Sequence, residues 1–170
     1  MAGNIILIGF MGVGKGRTAR VLASKTGFYT VDTDDLIETL VNMKIRQIFK
    51  KYGEPHFRKL EQQTADWLRS NVSNTIISTG GGFYKVKKLG KRDKIVFLHS
   101  SLKKILREIK SAPNAAKKIK KRPLLTDMEH ARLLYDERLP LYRKSADLEV
   151  SVEGRTSEDI AENIILKLKL

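Results

Sequence analysis

A glycine-rich segment that ends in lysine carries the clearest chemical signal in the sequence. Residues 9–15 read GFMGVGK, and they lie between a short apolar run (residues 4–8) and a stretch compatible with a helix (residues 17–25). In this context the glycines let successive backbone N–H groups surround phosphate oxygens, and the helix start adds the positive end of its dipole. Lys15 has the reach to contact β- and γ-phosphates. A plain glycine-rich turn would explain neither the spacing nor the lysine, so the segment is interpreted as a phosphate-binding loop (P-loop).

The residue after the lysine departs from the usual pattern. Gly16 stands where a P-loop carries the Ser or Thr whose hydroxyl ligates Mg²⁺. Thr18 is two residues further on, roughly 200° around the helix, and should not replace that hydroxyl. We therefore expect the cation to rest on the phosphates, water and an acidic residue elsewhere. Arg17 has two equally weighted interpretations: its side chain contacts the α-phosphate, or it is simply solvated.

Two aspartates follow the second predicted strand. Asp32 and Asp34 flank Thr33, immediately after residues 28–31. In an open parallel sheet, ligands bind at the carboxyl ends of the strands. One carboxylate could hold Mg²⁺ through water while the other accepts a hydroxyl proton. The alternative is that these aspartates only cap the next helix.

An arginine and a glutamate at i,i+3 form a third candidate site. A rigid Arg58 guanidinium would suit two-point recognition of a carboxylate, with Glu61 as its partner. The alternative is a surface ion pair.

Three glycines end the third predicted strand and would allow close approach of a ligand to the backbone, unless they form only a flexible loop. They are Gly80, Gly81 and Gly82.

Two further arginines lie downstream. Arg122 is suited to bring charge to a transferring phosphoryl group, and Arg138 to act as a second carboxylate clamp. Taken singly, each is better explained as a solvated surface residue.

Strands that alternate with helices must position these residues. The predicted strands are residues 4–8, 28–31, 75–78, 94–99 and 148–152. The predicted helices are residues 17–25, two pieces within 34–52, and residues 54–70, 102–109, 126–138 and 156–168. Trp67 is expected in the core, and residues 110–121, which are basic and contain Pro113, are expected to form a mobile loop. The alternation predicts an α/β fold with a mainly parallel sheet.

Composition excludes several classes of protein. The 170 residues fit one domain, no cysteine is present, and neither a signal peptide nor a membrane span is apparent, so a cytoplasmic location is predicted. The net charge of +14 raises the possibility of a nucleic-acid-binding module. However, no aromatic residue interrupts the basic residues 103–122, so they offer no stacking platform for bases. The three histidines show no metal-ligand spacing and are interpreted as structural; they are His56, His99 and His130.

The motifs in combination resemble those of shikimate kinases. They are GFMGVGK, DTD, GEPHFRKLE, STGGG, RPLL and ERLPLYR, in the order of that family. The resemblance implies a three-layer P-loop kinase fold, similar to nucleoside monophosphate kinases, with a five-stranded parallel sheet in the order 2-3-1-4-5. It also implies transfer of the ATP γ-phosphate, with Mg²⁺, to the 3-hydroxyl of shikimate, on the route to chorismate and the aromatic amino acids.

The resemblance also implies roles for individual residues. Catalysis would involve Lys15, Asp34 and Arg122, and Asp32 would lie near the metal. The substrate residues would be Asp34, Arg58, Gly80, Gly81, Gly82 and Arg138, with Glu61 orienting Arg58. The nucleotide would contact Gly12, Val13, Gly14, Lys15, Gly16, Arg17, Thr18, Arg107, Arg122 and Arg155. Residues 33–62 would form the acceptor-binding part and residues 111–125 a lid.

Three alternatives to an active, monomeric shikimate kinase stay open. Gly16 suggests a relative that binds ligands with impaired catalysis. A kinase of another carboxylated polyol, such as quinate or gluconate, would need the same arginines. A nucleic-acid-binding module is the third.

Overall fold

Five parallel strands form the centre of the computed structural model, which describes residues 3–87, 90–113, 115–116 and 127–170. The strands are β1 (Ile5–Ile8), β2 (Tyr29–Asp32), β3 (Thr75–Ser78), β4 (Lys94–His99) and β5 (Leu148–Ser151). Their order is β2-β3-β1-β4-β5, which confirms the order 2-3-1-4-5. Strands β1 and β3 are buried along their whole length, as expected for the apolar inner strands of a parallel sheet that is covered on both faces.

Six helices flank the sheet within the described residues. They are α1 (Lys15–Thr26), α2 (Thr33–Val41), α3 (Ile45–Asn71), α4 (Leu102–Ser111), α5 (Met128–Ser145) and α6 (Ser157–Leu168). Helix α1 packs against α6, whereas α2 packs against α3 and forms with it a small apolar cluster separate from the main core. The helix pieces on either side of residue 53 were predicted, and the structure joins them into one bent helix.

The bend in α3 has a local cause. Gly53 adopts φ 78° and ψ 173°, a conformation that a residue with a side chain rarely adopts. Pro55 begins the second piece, where a missing backbone N–H costs little because the first N–H groups of a helix have no partner within it. The bend sets the direction of the second piece, which carries the candidate residues Arg58 and Glu61.

Two local predictions were wrong. Helix α5 does not end at Arg138 but continues through Pro140 to Ser145. The buried Tyr142 ring lies 5.2 Å from the Phe97 ring in a stacked arrangement, and this packing outweighs the local cost of a proline in a helix. Trp67 is 51% exposed instead of belonging to the core, because the buried stripe of α3 runs through Thr64, Ala65 and Leu68.

Among the described residues, no helix combines the length and the apolar character that crossing a bilayer requires.

The Asn4 side chain, just before β1, ties the chain to the start of β3, so its loss should destabilise the fold. Its Nδ2 donates to the Val72 carbonyl at 3.0 Å, and its Oδ1 accepts from the Thr75 N–H at 3.3 Å. Asn4→Ala removes these partners from the part-buried Val72 carbonyl and the buried Thr75 N–H, and we expect a loss of about 1–3 kcal/mol in the free energy of unfolding, measured by urea denaturation. Asn71→Ala removes an exposed amide and should cost less than about 0.5 kcal/mol. Equal losses in the two variants would contradict this account.

Candidate active site

The P-loop connects the buried strand β1 to helix α1. Gly12 has φ 87°, and a Cβ there would lie 2.6 Å from Cδ1 of Ile109 on α4, so this position requires glycine. Gly14 precedes α1 with φ 104°, and no side chain caps the helix. The N–H groups of the first helical turn therefore face the loop, in the arrangement that binds phosphate.

Lys15 is buried beneath this loop. Its Nζ donates to the carbonyl oxygens of Gly9 at 2.6 Å and Phe10 at 3.1 Å. The other predicted nucleotide residues of this segment lie on the loop and the first turn of α1, where Arg17 is exposed and Thr18 is buried. The structure thus places a lysine ammonium group within the phosphate-binding loop.

Asp32 links β2, α2 and β3. Its Oδ1 accepts from the Asp34 N–H at 2.9 Å and caps α2, so the capping interpretation is correct for this residue. Its Oδ2 accepts from the Ser78 hydroxyl at 2.8 Å. Capping uses one oxygen only, and the second points to the end of β3. The cap therefore leaves a role in metal binding open.

The Asp34 carboxyl lies in the first turn of α2. Its Oδ1 has no hydrogen-bond partner among the described residues. Burial raises the pKa of Asp34 from about 3.8 to about 7; the negative charges of Asp32 and Glu61 act in the same direction and Lys15 opposes them. A carboxyl that titrates near neutral pH is suited to accept a proton.

Arg58 is held by two glutamates on the same helix. Its Nη1 donates to Oε2 of the buried Glu61, and its Nε and Nη2 donate to Glu54 Oε1 at 2.9 and 2.8 Å. The surface ion pair considered from the sequence is therefore only half right, because Glu61 is 1% exposed. This pairing fixes the plane of the guanidinium.

The glycine turn (Gly80, Gly81 and Gly82) packs directly onto these charged groups. A Cβ at Gly80 would lie 2.8 Å from Asp34 Oδ1, and a Cβ at Gly82 would lie 2.2 Å from Arg58 Nη1. Any side chain at either position would displace the Asp34 carboxyl or the Arg58 guanidinium. The turn is therefore a packed element of the site and not merely a flexible loop.

Arg138 and Tyr142 complete the cluster from α5. Arg138 is 6% exposed, and its Nη1 donates to the Gly81 carbonyl at 3.1 Å, so the solvated-surface interpretation of this residue was wrong. The hydroxyl of Tyr142 donates to the same carbonyl, and burial raises the pKa of Tyr142. Sequence reasoning assigned no role to Tyr142, although its i,i+4 spacing from Arg138 places both on one helix face.

The structure therefore brings most of the predicted acceptor residues together. Asp34, Arg58, Arg138 and Glu61 surround the glycine turn, and a Cβ at Gly81 would lie 3.7 Å from the Met11 N–H of the P-loop. The predicted nucleotide residues Arg107 and Arg155 are exposed, on α4 and after β5. Arg122 and most of the predicted lid (residues 111–125) lie outside the described residues.

Burial of Asp34 gives a testable effect on stability. A carboxyl with a raised folded-state pKa stabilises the fold fully only below its unfolded pKa, and this contribution is lost as pH rises from about 3.8 through about 7. Asp34→Asn should therefore raise the free energy of unfolding at pH 8 by on the order of 3 kcal/mol and leave it nearly unchanged at pH 4.

Urea unfolding of both variants at the two pH values checks this prediction. Asp35→Asn is the matched control, because Asp35 is an exposed neighbour on the same helix, and it should show little difference between pH 4 and pH 8. A destabilised Asp34→Asn variant at pH 8 would contradict the assignment.

Comparison with known proteins agrees with this geometry. The family model described as shikimate kinase matches residues 11–169. A shikimate kinase of Helicobacter hepaticus is 36% identical over 162 residues, covering 95% of this chain and 93% of the relative. One of Thermodesulfovibrio yellowstonii is 39% identical over 170 residues, covering 95% and 92%.

Solved structures give the same result. A shikimate kinase from Acinetobacter baumannii in complex with shikimate superposes with a TM-score of 0.83 at 30% identity, covering 99% of this chain and 94% of that one. A gluconokinase from Sinorhizobium meliloti reaches a TM-score of 0.60 at 12% identity, covering 98% of this chain and 91% of that one, and shares the fold alone. The fold is the three-layer P-loop kinase fold, and the chain belongs to the shikimate kinase family of ATP-dependent phosphotransferases.

Proposed function

We propose that this protein transfers the γ-phosphate of ATP to the 3-hydroxyl of shikimate, giving shikimate 3-phosphate and ADP. The observation that carries the proposal is the arrangement around the glycine turn, where a buried carboxyl and two held arginines lie next to the P-loop. The related kinase from Acinetobacter baumannii was solved with shikimate bound, which supports the choice of acceptor.

Arg58 and Arg138 are proposed to bind the acceptor carboxylate. Both guanidinium groups are held by protein acceptors, Arg58 by two glutamates and Arg138 by the Gly81 carbonyl, so little side-chain freedom is lost when an anion binds. Planar, fixed guanidinium groups favour two-point contact with a carboxylate. A carboxylated polyol fits this arrangement, and a nucleotide acceptor would leave the clamp without a carboxylate.

Asp34 is proposed to bind the acceptor hydroxyls and to accept the proton of the attacking one. In the reaction, a bond forms between the acceptor oxygen and the γ-phosphorus while the bond from that phosphorus to the bridging oxygen breaks. The proton leaves the acceptor hydroxyl for the Asp34 carboxylate, and ADP departs with the bridging oxygen. With a pKa of about 7, Asp34 is close to the pH at which a base is most effective.

The P-loop is proposed to hold the phosphates. Backbone N–H groups of Gly12, Val13, Gly14 and Gly16 would face the phosphate oxygens, and Lys15 would exchange its loop carbonyls for the β- and γ-phosphates. Catalysis would then depend on positioning and electrostatics, because the transition state of phosphoryl transfer needs charge stabilisation rather than covalent chemistry.

The site also fits Mg²⁺, through Asp32. A carboxylate oxygen at the end of β2, bonded to the Ser78 hydroxyl that borders Gly16, offers the hard oxygen ligand that this ion requires. Bound with ATP, Mg²⁺ would neutralise charge on the phosphates. Asp32 would hold it through water.

Other parts of the proposal extend the same nucleotide site. Arg17 and Thr18 lie on the first turn of α1, and Arg107 lies on α4, which packs against Gly12 of the P-loop. Arg155 follows β5, and a role for it at the adenine is proposed from the family resemblance, as is a role for Arg122 in closing over the phosphates. A single domain, a monomeric state and a cytoplasmic location remain predictions.

Arg58→Ala tests the acceptor clamp. We expect the KM for shikimate to rise about 100-fold, since loss of one partner of a buried charge pair costs about 2–5 kcal/mol, while the KM for ATP changes less than about twofold. Arg58→Lys keeps the charge but loses the planar fork, and it should also bind shikimate weakly. Steady-state kinetics with each substrate varied in turn provides the measurement.

The control is Arg69→Ala, which removes an exposed arginine from the same helix and should leave both KM values unchanged. Equal weakening of shikimate and ATP by Arg58→Ala would contradict the clamp.

A further inference from the structure

Ser78 is a buried hydroxyl to which the mechanism above gives no role. It is the last residue of β3, is 4% exposed, and donates to Asp32 Oδ2 at 2.8 Å. A Cβ built on Gly16 would lie 3.8 Å from Ser78 Oγ. The Ser78 hydroxyl therefore borders the place where the hydroxyl of a P-loop Ser or Thr would project.

A side chain at Gly16 would make only ordinary contacts. The other near neighbour of a Cβ at this position is Arg20 Nη1 at 3.7 Å, an ordinary contact, and Gly16 does not adopt a positive φ. Packing therefore does not exclude a serine there, and the missing hydroxyl leaves room rather than a collision.

Neighbouring hydroxyls are bonded to backbone groups. Thr79 donates to the Leu7 carbonyl at 2.8 Å, and Thr33 accepts from the Gly80 N–H at 3.2 Å. Ser78, by contrast, gives its proton to Asp32. A hydroxyl has one donor and two acceptor lone pairs, so this bond leaves the Ser78 oxygen as an acceptor beside Gly16.

We propose that Ser78, acting with Asp32, supplies to the Mg²⁺ of the bound nucleotide the hydroxyl oxygen that Gly16 lacks. This inference rests on the proposed function, in which Mg²⁺ binds with the nucleotide. Ser78 would allow that binding in a chain that has glycine after the P-loop lysine. A neutral hydroxyl oxygen beside a carboxylate is a suitable donor set for Mg²⁺, which keeps most of its ligands as phosphate oxygens and water.

A double-mutant cycle tests the proposal without relying on turnover. The proteins are the parent, Ser78→Ala, Gly16→Ser and the double variant. Calorimetry gives the Kd of ADP with and without Mg²⁺ for each, and the ratio of the two values is the Mg²⁺ enhancement. We expect Ser78→Ala to reduce this enhancement about tenfold or more in the parent, but less than about twofold when Gly16→Ser restores a hydroxyl.

Four controls make the result interpretable. The metal-free Kd of ADP should stay within about twofold in all four proteins, because the P-loop backbone is unchanged, and thermal unfolding should show that each is folded. Ser78→Thr retains the hydroxyl and should preserve the enhancement, and Ser24→Ala, which removes an exposed hydroxyl from α1, should also leave it unchanged.

An equal loss in both backgrounds would overturn the proposal, because Ser78 would then act only by orienting Asp32. No loss in either background would overturn it too. This experiment also separates the role of Ser78 from the proposed kinase activity. If the Mg²⁺ enhancement depends on Ser78 but shikimate causes no ADP release, the proposal that shikimate is the acceptor is contradicted. The role of Ser78 in binding Mg²⁺ is then unaffected.

Discussion

The close packing of the glycine turn against charged side chains is the constraint on which the site depends. Side chains at Gly80 and Gly82 would collide with Asp34 and Arg58, so their absence allows helices α2 and α3 to approach the end of β3. The Gly81 carbonyl then accepts from Arg138 and Tyr142 and attaches α5 to the same turn. One short backbone segment thereby sets the relative positions of groups from three helices.

Burial of charge at this turn gives the site its chemistry and a cost in stability. Asp34 and Glu61 each have one buried oxygen, and Arg138 a buried Nε, without a hydrogen-bond partner among the described residues. Each such group costs about 1–3 kcal/mol, more when charged, and the tightly packed inner strands of the sheet must offset that cost. The same burial raises the pKa of Asp34 toward neutrality. These buried polar groups therefore lower the stability of the fold, as at many active sites.

The fold and the site could be predicted from the sequence wherever local patterns and long-range packing agree. Continuous apolar runs gave the inner strands, and the P-loop glycines and the i,i+3 pair of Arg58 and Glu61 pointed to the site. It failed where tertiary packing overrides local signals: α5 passes through Pro140 because the Tyr142 ring packs against Phe97. The approach of Gly82 to Arg58 and the hydrogen bond between Ser78 and Asp32 join residues 24 and 46 positions apart, and no local pattern encodes either contact.

A coupled assay of ADP release, with ATP and Mg²⁺ and with or without shikimate, is the decisive test of phosphoryl transfer to shikimate. Because Asp34, the two arginines and the P-loop lie around one turn, we expect ADP production that depends on shikimate and exceeds the rate with water alone by orders of magnitude. The same slow ADP release with and without shikimate, from folded protein that still binds ADP, would contradict it.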